Sequence, residues 1–423
     1  ASAASCTSFH AAGCHSRPSA RPSRPPVMDA IESASVSRDS AANTTDYSAR
    51  FSTAANQACK VDTNGQNVTW ASALTSTGGS VTKTGAGTLT LSGASTYSGG
   101  TNANGGVVET NLISDTGATP IGTFSTAAAS FVGIVNGAFR YTGSANVTTT
   151  RYLWIDQGTA TIDIADPAAV LTFNSTGGNI NRPLTKTGAG GLSLADVING
   201  TASVTVSAGN LTLTGANTYT GTTTVNSGTL SGTGCPASAL TVNSGGKLAP
   251  GTGIGTHATQ SAVFTSGSTF EAEINSSTIT ADKLTASGAV NLGNATLNLT
   301  DLGSATLTAG TKLTLIDYTG GSLTGTFSGL AQNASVTLGS NSFTISYTDA
   351  SKVTLTAGSS GYAGWASTNA GGQLPGLDFD GDGVSNGIEY FMGLTGSSFT
   401  ANPGLVGGKI TWIKDPSAVA TYV

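Results

Sequence analysis

Residues 87–106 read GTLTLSGASTYSGGTNANGG and residues 209–228 read GNLTLTGANTYTGTTTVNSG; they align without a gap and agree at about half of their positions. Each copy is preceded by the tag KTGAG, at Lys83 and again at Lys186. Agreement in order, not only in composition, marks a duplicated structural unit. The spacing is informative as well. Lys83 precedes Tyr97 by 14 positions and Lys186 precedes Tyr219 by 33, so the second copy carries 19 additional residues, roughly GLSLADVINGTASVTVSAG. TVNSGTL at Thr224 also recurs as TVNSGGKL at Thr241, a step of 17. Steps of 17 and 19 suit one coil of a β-solenoid, whose stacked parallel strands bury a narrow core of Val, Leu and Ile.

The surrounding text is consistent with this. Short runs alternating Thr with Val or Leu, such as TLTLS and SVTVS, are separated by Gly and Asn, as in strands with one buried face. Gly and Asn suit the corners, where φ > 0 or a side chain bonded to its own backbone is required. Among 423 residues there are 58 Gly, 6% aromatic and 9% charged residues, a vocabulary poor in helix formers. The formal net charge is −5, and the 17 Lys and Arg are scattered apart from Arg17, Arg21 and Arg24. No basic stripe offers a footprint for phosphates, so nucleic-acid binding is not expected. No run of about 18 apolar residues predicts a transmembrane helix.

The stretches KTGAGTLTLSGASTYSGGT and GNLTLTGANTYTGTTTVNSGTL resemble the autotransporter-associated β-strand repeat of secreted and surface proteins of bacteria. TVNSGGKLAPGTGIGT resembles the coil that follows it. The resemblance covers residues 66–110 and 183–256 and implies an exported, right-handed parallel β-helix passenger at the cell surface or outside the cell; it does not imply an enzyme, and a non-enzymatic scaffold is the expectation. No segment reads as a membrane barrel. Either a translocator follows Val423 or export takes another route, and the second is the expectation. The chain starts at Ala1 without Met and reads as a fragment or processed form.

Five regions are expected. Residues 1–60 read as an irregular segment; its Cys6, His10, Cys14 and His15 match no common zinc spacing. Residues 61–264 read as the solenoid. Residues 265–358, with longer runs such as FEAEINSS, GAVNLGNATLNLT and SFTISYTDASKVTLTA, read as a closing β cap of antiparallel hairpins that protects the solenoid end. Residues 359–400 hold an acidic loop flanked by short helices, and 401–423, with GKITWIKD, read as the start of a truncated β module.

The acidic loop DFDGDGVSNGIE spans Asp378 to Glu389. Asp378, Asp380 and Asp382 hold positions 1, 3 and 5 of a calcium loop, Gly383 position 6, Val384 position 7, Asn386 position 9 and Glu389 position 12. Ca²⁺ takes six to eight oxygens at about 2.3–2.6 Å, and alternate residues of a tight loop present theirs to one centre. The expected ligands are the side chains of Asp378, Asp380, Asp382, Asn386 (directly or through water) and Glu389, with the Val384 carbonyl. Ile388, Phe391 and Met392 follow at helical spacing. The loop resembles single dockerin-like and thrombospondin type 3-like loops, which implies a structural ion.

Many β-helices degrade or bind polysaccharides, and such chemistry needs paired carboxylates or a carboxylate-bound metal with a basic residue nearby. Asp156, Asp163 and Asp166, and Glu271 with Glu273, are the candidate carboxylates, but no Arg, Lys or His lies close in sequence to either group, and no G-x-S-x-G elbow with strand-then-helix context appears. The only histidine beyond the first sixty residues is His257. Tyr97 and Tyr219 occupy equivalent repeat positions. Facing outward they would form a sparse aromatic row for glycans or other cell-surface components; facing inward, which is the expectation, they pack the core.

Overall fold

The computed structural model describes residues 44–175, 177–358 and 361–394, together with the backbone of short strands at Phe9–His10 and Ser35–Ser37. The side chains of Cys6, Cys14 and His15, that of His10, and the expected module at 401–423 lie outside the described residues.

The chain forms a parallel β-solenoid in which successive coils add one strand to each of up to three sheets. The first sheet stacks Ala58–Asp62, Ser80–Thr84, Thr101–Asn104, Val132–Ile134, Leu153–Ile155 and Asn179–Ile180. It reaches back to Ser35–Ser37 and Phe9–His10, inside the stretch read as irregular. The second sheet runs in parallel register from Val68–Trp70 to Lys312–Asp317. The third begins at Val147–Thr149 and ends at Thr296–Asp301.

The coil lengths read from the sequence are the offsets of the ladders. Gly191 pairs with Asn210 and Asn210 with Thr229, steps of 19, while Thr224 pairs with Thr241, a step of 17. The 19 additional residues of the second repeat are therefore one extra coil. Because a strand alternates its faces, in-register stacking aligns like with like. Leu171, Leu192, Leu211, Leu230 and Leu248 form one continuous buried column on the third sheet. Outside it, Thr212 and Ser231 share a 2.8 Å hydroxyl contact between neighbouring strands.

The corners need little space. A Cβ at Gly209 (φ 63°) would strike the Gly190 carbonyl oxygen of the coil beneath, and one at Gly228 (φ 78°) would strike that of Gly209. Asn56, Asn64, Asn136, Asn294 and Asn333 are also left-handed, a conformation that Asn tolerates better than most residues.

The two repeat copies occupy different faces. In the first, the strands Ser80–Thr84 and Thr88–Leu91 belong to the first and second sheets, and the segment around Tyr97 makes the third side. In the second, Val204–Val206 and Asn210–Leu213 belong to the second and third sheets. The motif is turned by one face about the solenoid axis, because the intervening coils have three strands each.

The second sheet is covered at both of its ends. At one, Phe51 packs on Trp70 with ring centroids 4.8 Å apart, while Asp46 and Ser48 side chains accept hydrogen bonds from the Ala71 and Ser72 amides. At the other, Lys312–Asp317 still lies parallel to Lys283–Ala286 but pairs antiparallel with Lys352–Ala357. Antiparallel strands Asn341–Ser346 and Ser335–Leu338 complete the cap. SFTISYTDASKVTLTA is thus a hairpin, as expected. GAVNLGNATLNLT is not: Val290–Asn291 and Thr296–Asp301 lie in different sheets, each parallel to the preceding coil. The corner at Gly293 and Asn294 buries Leu292 and Ala295, which a flat hairpin would expose.

The leucine column carries a direct test. Leu211→Ala opens a cavity between coils that cannot collapse without breaking register, so it is expected to cost about 2–5 kcal/mol in urea denaturation, whereas Thr229→Ala on the outer surface is expected to change stability by under about 0.5 kcal/mol.

Candidate functional site

The acidic loop follows helix α1 (Gly361–Asn369) and leads into helix α2 (Asn386–Met392). Tyr362, Trp365 and Tyr390 join the helices, with ring centroids 5.6 to 5.9 Å apart. The Trp365 indole N–H donates to the Leu394 carbonyl at 2.8 Å. α2 ends at Gly393 in the left-handed conformation, whose amide returns to the carbonyls of Glu389 and Tyr390. The buried face of α2 consists of Asn386, Gly387, Glu389 and Tyr390; Ile388, Phe391 and Met392 are only half-buried. The packed stripe runs through Tyr390, whose ring meets Tyr362 and Trp365 of α1.

The loop brings three of the expected ligands together. Carboxylate oxygens of Asp378, Asp380 and Asp382 lie within 4.8 Å of one another. The turn is held from within: Asp378 accepts the amides of Gly381 and Gly383, both at 2.8 Å, and Asp382 accepts that of Val384 at 2.8 Å. Gly381 (φ 77°) and Gly383 (φ 89°) supply the left-handed bends. The amide donors, that of Gly383 foremost, hold the Asp378 carboxyl below its usual range. Three converging carboxylates repel one another, and their all-oxygen donor set fits a hard divalent cation. Asn386 is buried and engaged elsewhere: its Oδ1 accepts from the Phe379 amide at 3.0 Å and its Nδ2 donates to the Leu374 carbonyl. Glu389 is fully buried on α2, outside the three-aspartate cluster, and the Val384 side chain is buried beneath the loop.

The other sequence candidates are separated. Tyr97 and Tyr219 both point inward, 1% exposed, with hydroxyls 2.7 Å from Thr101 and 2.6 Å from Thr223. They form no outward aromatic row. Asp163 is paired across the ladder with Arg140 at 3.2 Å, and Glu271 with Lys247 at 2.8 Å. These cations are 23 and 24 residues away in the chain, which is why sequence proximity missed them. Asp166 caps its own turn by accepting the Ala168 amide. His257 is buried, with Nδ1 3.1 Å from the Gly232 carbonyl oxygen.

In the sequence the KTGAG lysines are part of a repeated tag; in the structure they bind corner carbonyls. Lys83 and Lys186 are 0% exposed and face the core. The Lys83 amine donates to the carbonyls of Thr84 and Gly85 in its own corner and Gly105 in the next coil, at 2.8 to 3.3 Å. Lys186 repeats this with Thr187, Gly188 and Ala208, at 2.6 to 3.3 Å. Burial lowers each amine to about 8, which leaves it charged at neutral pH with its three donors matched to carbonyls. The signal was available in the recurrence of a lysine at a position where neighbouring coils place Val61, Ala103, Ile162 and Val206. Arg151, also buried, similarly holds the excursion between Asn111 and Phe131 by donating to the carbonyls of Ser114, Gly122 and Ser130.

Acid should expose the His257 contact. Burial lowers its pKa to about 4 from 6.5, so between these values the unfolded chain binds a proton that the folded chain refuses. Its contribution to stability therefore falls as pH drops through that window, by roughly 3 kcal/mol in full. Asp282, raised to about 6 by burial, acts in the opposite sense between pH 6 and its usual 3.8. The difference in melting between the parent and His257→Gln, followed from pH 7 to 4, is expected to isolate the histidine; parallel curves would exclude this role.

Among the described residues no helix is long and apolar enough to cross a membrane. No curated protein matches the chain. Residues 81–109 and 206–231 match the passenger-associated-transport-repeat family. These segments are the two copies aligned above, and each forms the strand–corner–strand unit around an inward tyrosine. The chain thus carries autotransporter passenger-type repeats, built into a parallel β-solenoid.

Proposed function

We propose that the protein is a non-enzymatic, exported scaffold of the bacterial cell surface or extracellular space, with adhesion to glycans or other surface components as its role. The observation that carries this reading is the pair of passenger-type repeats embedded in a continuous parallel core. Such a core gives reach and few openings for proteases, since each coil is held by both neighbours. The carboxylates best placed by sequence for hydrolysis support a structural use instead, as Asp163 and Glu271 hold Arg140 and Lys247 in surface ion pairs.

A calcium ion in the acidic loop completes the proposal. Asp378, Asp380 and Asp382 would hold it, with the Val384 carbonyl and Glu389 as further donors and Asn386, whose side chain is bonded to Phe379 and Leu374, contributing through water. The ion would neutralise the carboxylate cluster and stiffen the connection between α1 and α2. Calorimetric titration is expected to find one saturable calcium site, lost in Asp382→Ala/Glu389→Ala, with a melting temperature that rises in calcium and falls in chelator. Absence of binding by the intact chain would reduce the loop to a solvated turn.

A further inference from the structure

A groove of about 460 Å³ crosses the outer surface of the third sheet near its end, well away from the acidic loop in sequence. Its volume falls in the usual range of ligand sites. The floor is made by outward side chains of successive strands: Thr212 pairs with Ser231, Glu271 with Asn298, and Glu273 with Thr300. Ala249, in register with Ser231, leaves the middle of the floor low. The segment Pro250–Gly253 forms a wall. Asp282 fixes that side of the groove by accepting the amides of Gly255 and Glu273, each at 2.8 Å.

Resting on the adhesive reading above, we propose that this groove binds an extended neutral polysaccharide lying along the solenoid axis. Neighbouring strands place floor groups at intervals of about 4.8 Å, a repeat that a chain of hexoses approximates, so successive sugars meet successive strands. Hydroxyls on Thr212, Ser231 and Thr300 and the amide of Asn298 both donate and accept, which matches the mixed character of sugar hydroxyls. Glu271 is neutralised by Lys247. Among the described residues the Glu273 side chain has no cationic partner, so it accepts sugar hydroxyls and repels a polyanion. The lining thus selects uncharged over uronic-acid polymers.

The test is calorimetric binding of the full chain to a β-1,4-linked glucose hexamer, a β-1,3-linked glucose hexamer and a galacturonate hexamer. At least one neutral hexamer is expected to bind and the galacturonate hexamer not to. Ala249→Trp, which fills the floor, and Glu273→Gln are each expected to weaken neutral binding at least tenfold, while Thr172→Trp, on the same sheet outside the groove, leaves it unchanged. Should Ala249→Trp fail to fold, Glu273→Gln carries the comparison. Failure of both neutral probes to bind, or undiminished binding in the folded groove variants, overturns the inference. Adhesion of the same chain to bacterial surfaces, measured in parallel, separates the two readings: adhesion that survives the groove variants leaves the scaffold role standing without this site.

Discussion

The in-register parallel ladder is the constraint from which the rest of this molecule follows. Each coil hydrogen-bonds to the one before and after, so a residue pointing inward must lie above an inward residue. Leu171, Leu192, Leu211, Leu230 and Leu248 satisfy that condition as a column. A shift of one residue would turn the whole column to water, and the leucine ladder keeps one register throughout. The 17- and 19-residue steps are different corner lengths serving one register.

Corners are where such a fold is costly, because carbonyls that leave the ladder must find donors. The KTGAG lysines supply three donors on one charged amine and thereby connect two coils at once. A lysine inside a narrow apolar core loses hydration, as the lowered pKa records, and the converging carbonyls offset that loss. Arg151 applies the same principle to a longer excursion. The described chain therefore uses buried cations to hold irregular backbone, while its surface ion pairs bridge neighbouring strands.

The acidic loop follows a different logic. Its shape is encoded locally by Asp378, Gly381 and Gly383, whose hydrogen bonds and left-handed bends close the turn. That locality is why its spacing could be read directly, and why the three aspartates converge as the pattern requires. Asn386 was harder to place. Position 9 of the loop suggests a ligand, yet its side chain bonds to the Phe379 amide within the loop and to the Leu374 carbonyl before it, and so braces the loop's N-terminal arm.

Sequence by itself determined the local units: alternating strands, Gly and Asn corners, coil length and a cluster of aspartates, all set by contacts within a few residues or by exact repetition. For Tyr97 and Tyr219 it left both orientations open and favoured the inward one, since repeated aromatics in stacked units serve packing, and the structure placed both inside. Only the tertiary structure decided which face each repeat occupies, because the same strand–corner–strand motif fits any side and the phase depends on the coils between. It alone brought Arg140 to Asp163 and Lys247 to Glu271. Those contacts join residues one coil apart, and their geometry exists only once the ladder has set the register.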